Sequence, residues 1–238
     1  MPDSQGLPIV FIPGMLCDEA LFAPQIKVLQ ASHECIVVPP TFANNILDLA
    51  DGVIAKAPPR FALAGLSTGG YVAFEILRQL AAVGQRNRIA KIVLMNTSAR
   101  EDTEDRKNRR RALIALSRTG RFKGVTPRLL PNLINEKHIH DPAITQVIFD
   151  MAARIGQSVF EMQQTAILHR PDSRDVLPTI TQPTLIIGGA DDRLISVEEI
   201  NEMADAIPGA QAHILEDCGH LSPLEQPEKV TKLLVGFL

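Results

Sequence analysis

A chain of 238 residues has room for one domain with a sizeable core, or for one domain carrying an insertion, and 45% hydrophobic with 21% charged residues is the composition of a folded globular protein. A net charge of -3 supplies no field of the kind that gathers nucleic acid along a face, so nucleic acid is not an expected partner. The first residues carry no basic-then-apolar leader and no run of about 18 apolar residues occurs, which leads us to expect a cytoplasmic protein without a membrane partner.

Short apolar runs recur at 8–12, 34–38, 61–66, 89–95, 184–188 and 211–215, and runs of this length suit strands buried on both faces of a sheet. Helical patterns at about 19–31, 45–56, 70–83, 196–206 and 225–237 fall between most of them. The alternation predicts an α/β fold, a doubly wound and mostly parallel sheet of about six strands with helices on both faces. The stretch 97–182 breaks the pattern: it holds amphipathic segments near 101–118, 126–135, 141–155 and 158–169 and no convincing strand. It is expected to be a helical cap inserted into a core made of residues 1–96 and 183–238. Pro171, Pro178 and Pro183 punctuate its exit, because proline disfavours a continuing helix and biases the preceding residue toward extended backbone.

The strongest local signal is Gly65-Leu66-Ser67-Thr68-Gly69-Gly70, a G-x-S-x-G directly after an apolar strand and directly before a helix. A serine on so sharp a turn takes a strained conformation, and chain segments press on the positions two before and two after it, where only very small residues fit and Gly65 and Gly69 supply the space. The helix N-terminus then aims free N–H groups at the serine oxygen. The bland alternative is a glycine-rich turn with a capping serine.

Serine is a weak nucleophile near neutrality and needs a base within reach, itself oriented by a third group. Of six histidines only His220 follows the last strand and precedes a helix, in Asp217-Cys218-Gly219-His220-Leu221. In a parallel sheet the carboxyl ends of all strands share one edge, so Ser67 and His220 are expected to converge. The strand at 184–188 ends in Gly188-Gly189-Ala190-Asp191-Asp192, which offers two carboxylates at the same edge. Spacing from Gly189 favours Asp192 as the acid over Asp191; both could instead merely brace the loop. Negative charge forming on a substrate oxygen requires backbone donors. The N–H of Thr68 is one candidate, and Met15, after Pro13-Gly14, is the other, with Leu16 as second choice. Cys17, Cys35 and Cys218 lack metal-ligand spacing and read as reduced packing residues, so no metal is expected.

Taken jointly, the Pro13-Gly14 loop, the Ser67 turn, Asp192 after its strand and Gly219-His220 before Leu224-Glu225-Gln226-Pro227 resemble the α/β-hydrolase superfamily over nearly the whole chain. The resemblance implies a cofactor-free serine hydrolase of a small-molecule acyl substrate, most similar to the small esterase-like members, with the leading antiparallel hairpin of larger relatives absent. Three departures stand out. Pro13 replaces a histidine common before the loop glycine, Pro39-Pro40-Thr41-Phe42-Ala43 replaces an acidic, glycine-rich turn, and the chain starts at what is often the third strand. Carboxylic esters are the first expectation for the substrate. Thioesters, lactones, amides and carbon–carbon bonds stay open, as do lyase chemistry and a ligand-binding receptor on the same fold. The Arg106-Lys107-Asn108-Arg109-Arg110-Arg111 run reads as a solvated helix face, and Phe122, Met151, Phe160 and Met162 as packing.

Overall fold

The structure is a computed structural model that describes residues 6–120 and 122–238. Six strands form one sheet: β1 (Gly6–Ile12), β2 (His33–Val37), β3 (Phe61–Leu66), β4 (Ile89–Met95), β5 (Thr184–Gly189) and β6 (Gln211–Leu215), in the order β2-β1-β3-β4-β5-β6. Every pairing in it is parallel. The sheet is therefore wholly parallel among the described residues. The helices are α1 (Ala23–Leu29), α2 (Ile46–Lys56), α3 (Thr68–Ala82), α4 (Glu104–Thr119), α5 (Pro142–Leu168), α6 (Val197–Ala206), the short α7 (Ser222–Glu225) and α8 (Pro227–Phe237).

Strand residues alternate between two cores because successive side chains leave a strand on opposite faces. Val10, Ile12, Leu63, Ile92, Leu94 and Ile186 pack with residues of α2, α3 and α6. Ile9, Phe11, Ala62, Ala64, Val93 and Leu185 pack on the other side, with residues of α1 and α8. Central strands buried on both faces explain the unbroken apolar runs: β3 and β5 are buried along their whole length, whereas the edge strand β6 begins with three exposed residues.

Between β4 and β5 the described chain is helical or irregular, holding α4, α5 and three 3-10 turns. Helix α5 is two pieces, because Gly156 takes φ 77° and ψ 178° inside it, a conformation open essentially to glycine alone. That break separates the two amphipathic patterns read from the sequence as 141–155 and 158–169.

The chain runs from β1 outward to β2, then crosses back so that β3 lies on the other side of β1. Loops leaving β1 and β3 consequently part there, at the carboxyl edge, and open a crevice. Ile12 pairs with Gly65 at that point. A Cβ on Gly65 would lie 2.5 Å from the Gly69 carbonyl oxygen, and one on Gly69 would run into the carbonyl of Ile12. Both glycines are thus required by close backbone approach. Gly84, at φ 69° with nothing within 4 Å of its Cβ position, is required only by backbone conformation. Gly69→Ala is expected to cost about 3 kcal/mol or more and Gly84→Ala about 1–2 kcal/mol, read as shifts in urea midpoint. Equal losses at the two sites would contradict the packing argument.

Candidate active site

Ser67 stands between β3 and α3 at φ 53° and ψ -114°, and its side chain makes no helix-capping hydrogen bond. The capping alternative therefore fails: the hydroxyl is left half-buried on the wall of a cavity of about 370 Å³. That volume lies at the small end of the range for ligand pockets, about 300–1,000 Å³. Met15, Leu16, Ser67, Thr68 and His220 all line it, with the far wall coming from the segment between β4 and β5 through residues such as Arg109, Leu113, Val125 and Ile148.

Behind His220 lies Asp192. His220 Nδ1 is 2.8 Å from Asp192 Oδ2, and the two side chains are only 4% and 1% exposed. The same Oδ2 accepts a hydrogen bond from Asn96 Nδ2 at 3.0 Å, while Oδ1 accepts the backbone N–H groups of Leu194 (2.9 Å) and Ile195 (3.1 Å). The carboxylate is thus met on all sides by donors. Burial works against its ionisation, but the His220 ring, the Asn96 amide and the Leu194 N–H outweigh burial and hold its carboxyl below the usual range. An ionised Asp192 keeps the proton of His220 on Nδ1 and leaves Nε2 as the acceptor. Asp191 is engaged elsewhere, by Asn135 Nδ2 at 2.8 Å.

Among the described residues the Met15 N–H has no acceptor. The Thr68 N–H belongs to the first turn of α3, whose donors have no partner within the helix. Leu16, the second choice from sequence, is at φ 58° and gives its N–H to Gln163 Oε1 at 3.0 Å. It is already satisfied. Cys17 also lines the cavity, yet burial, reinforced by the neighbouring Asp18 charge, pushes its thiol up to about 12, which keeps it a neutral packing group.

Four positioning residues have roles that local sequence reasoning does not supply. Asn96, fully buried at φ 44°, donates to Asp192 and to the Gly219 carbonyl (3.0 Å) and accepts from Ser222 Oγ (2.6 Å), so it joins the acid loop to the histidine loop. Its neighbour Thr97 donates to the Ser67 carbonyl at 2.8 Å. Glu225 accepts the N–H groups of Gly219 (2.9 Å), Leu221 (3.0 Å) and Asn135 (2.7 Å), clasping the backbone on both sides of His220. Gln163, fully buried, holds Leu16 through its oxygen and donates to the Pro40 carbonyl at 3.1 Å, which fixes the loop that carries Met15. A polar pair following an apolar strand at the carboxyl edge, Asn96-Thr97, is the one sequence signal that could have found the first of these.

Arg106, Arg109 and Arg110 line the cavity together with Arg193 from the loop after β5, so part of the basic run is not a solvated face. Phe122 and Phe160 pack on one another, ring centroids 5.1 Å apart, and Met151 is fully buried, in line with a packing role.

Asn96→Ala is expected to cost about 1–3 kcal/mol, since it strands buried partners. It should also move acid unfolding. Folding lowers the Asp192 pKa, so the stability this group contributes is full above its unfolded value and is lost as pH falls through the folded one. Removing the Asn96 donor raises the folded value, and loss should begin at a higher pH, followed by circular dichroism across an acid titration. An unchanged onset would contradict the assigned contact.

A sequence model of the alpha/beta hydrolase family matches residues 9–233. The 3-oxoadipate enol-lactonase 1 of Acinetobacter baylyi is 26% identical, with 97% of this chain and 88% of that protein aligned. A monoacylglycerol lipase of Bos taurus is 26% identical over 69% of this chain, and the match spans only 42% of the lipase. The match to a 2-hydroxy-6-oxononadienedioate hydrolase of Pseudomonas, 36% identical, spans 24% of that protein. Among solved structures, a malate-bound thermophilic esterase from Thermogutta terrifontis superposes with a TM-score of 0.84 at 28% identity, covering 98% of this chain and 89% of the esterase. No helix of the described residues is long and apolar enough to cross a membrane. By the family match across nearly its whole length, the chain belongs to the alpha/beta hydrolase family.

Proposed function

We propose that the protein is a serine hydrolase of small-molecule carboxylic esters that works through an acyl-enzyme on Ser67. The observation that carries this reading is a strained, uncapped serine sharing one cavity wall with a histidine whose far nitrogen is tied to a buried carboxylate. Ser67 Oγ adds to the ester carbonyl carbon while His220 Nε2 takes the hydroxyl proton and ionised Asp192 steadies the resulting imidazolium. The carbonyl electron pair moves onto oxygen, where the N–H groups of Met15 and Thr68 receive it, each worth roughly 3–4 kcal/mol of barrier. Collapse of this adduct breaks the ester C–O bond, and the departing alkoxide takes the proton from His220. Water then repeats the sequence on the acyl-enzyme, with His220 as base, and frees the acid and Ser67.

This chemistry calls for no cofactor. Residues 97–182 act in this reading as a cap whose inner face shapes the substrate pocket. The free thiols of Cys17, Cys35 and Cys218 suit a reducing, cytoplasmic setting. A lactone is the second reading, favoured by the alignment of 97% of this chain with an enol-lactonase. The same steps then open a ring, and the released alcohol stays attached to the acyl group.

Hydrolysis of p-nitrophenyl acetate and butyrate is expected for the wild type, with kcat/KM falling at least about a thousandfold in Ser67→Ala. Full turnover by a folded Ser67→Ala protein would refute the assignment. A matched pair, γ-butyrolactone against ethyl butyrate, separates the two substrate classes by their kcat/KM ratio.

A further inference from the structure

The cavity that holds Ser67 has an electrostatic asymmetry that ester hydrolysis does not require. Four arginines line it, Arg106, Arg109, Arg110 and Arg193, against a single carboxylate, Asp102. Asp102 is already shared: Arg110 Nε bonds one of its oxygens and Arg170 pairs with the other at 2.9 Å. Arg110 also donates to Gln164 Oε1 at 2.8 Å. Arg106 forks onto Glu199, at 3.1 and 3.3 Å, and reaches the Leu194 carbonyl at 3.1 Å. These two guanidinium groups are engaged and fixed. Arg109 and Arg193 differ, since among the described residues neither has an ion-pair or hydrogen-bond partner, and both are exposed on the cavity wall. They come from separate elements, α4 and the loop after β5.

We propose that Arg109 and Arg193 form an anion-binding end of the Ser67 cavity, and that the preferred substrate is an ester or lactone bearing a free carboxylate. The proposal rests on the hydrolase reading for its reacting end and on the unpaired guanidinium groups for its binding end. A guanidinium presents parallel N–H donors that match the two oxygens of a carboxylate, and its charge stays on at any working pH. The apolar stretch of wall, from Leu113, Val125, Leu133 and Ile148, suits a short methylene chain between the two ends. The small cavity volume, about 370 Å³, favours short dicarboxylic monoesters over long acyl chains.

The test compares monoethyl adipate with the uncharged ethyl heptanoate. The wild type is expected to favour the anion in kcat/KM, and the ratio of the two values should fall roughly tenfold or more in the Arg109→Gln/Arg193→Gln double variant. Arg111→Gln, on the same helix but outside the cavity wall, should keep the wild-type ratio. Raising sodium chloride should lower the ratio in the wild type and leave it flat in the double variant. A ratio unchanged by the double substitution would overturn the proposal. A binding readout separates its failure from failure of the hydrolase reading: glutarate and adipate should bind Ser67→Ala by calorimetry, and binding should vanish when Arg109→Gln and Arg193→Gln are added. Binding without ester turnover in the wild type would sink the hydrolase reading alone. Turnover of neutral esters with no dicarboxylate binding would sink the anion-binding end alone.

Discussion

Everything at the carboxyl edge depends on how closely the turn after β3 lies against the end of β1. The Gly69 Cα faces the Ile12 carbonyl with no room for a side chain, and Gly65 faces Gly69 in the same way. This contact lets α3 start at once, holds Ser67 in a left-handed conformation that few side chains tolerate, and puts Thr68 on the wall of the crevice. Because the strand order reverses between β1 and β3, the loop bearing Gly14 and Met15 is the one that borders that crevice. Strain at Ser67 persists because the surrounding sheet is over-determined: Ser67 N–H continues the ladder to the Met95 carbonyl at 3.0 Å, and Thr97 ties down its own carbonyl.

A second layer of order is polar and buried. Asn96, Gln163 and Glu225 each satisfy backbone or carboxylate groups that would otherwise be stranded away from water, a loss of about 1–3 kcal/mol per group. Burial pushes the Glu225 carboxyl up while three N–H donors pull the other way. Its grip spans two parts of the chain, since one donor is Asn135, from the segment between β4 and β5, and the others flank His220. His220 N–H in turn donates to the Leu133 carbonyl at 3.0 Å. The segment between β4 and β5 is therefore tied down at residues 133–135. One backbone hydrogen bond and the shared Glu225 carboxylate join it to the loop that carries the histidine, so changes in one are felt by the other.

Much of this was legible before any coordinates. Apolar runs marked the strands, most plainly β3 and β5, which are buried along their whole length, and the two patterns inside 141–169 anticipated the break that Gly156 makes. Chain order placed Ser67, Asp192 and His220 at one edge because a parallel sheet leaves no other arrangement. What stayed hidden was long-range. Gln163 finds its partner Leu16 at a separation of 147 residues, and Asn96 meets Ser222 across 126. A buried amide inside an amphipathic helix has no local signature distinct from an exposed one. The basic run misled for a related reason: periodicity gives the polar face of α4 but not what lies opposite it, and part of that face looks into the cavity.

The central claim is that Ser67 is an activated nucleophile, and covalent labelling measures that without presupposing any substrate. Intact-mass spectrometry of the folded protein after incubation with a fluorophosphonate, followed by peptide mapping, should reveal one adduct, on the peptide containing Ser67, with no adduct on Ser67→Ala. A folded wild-type protein that takes up no label, or takes it up on another residue, would contradict the account.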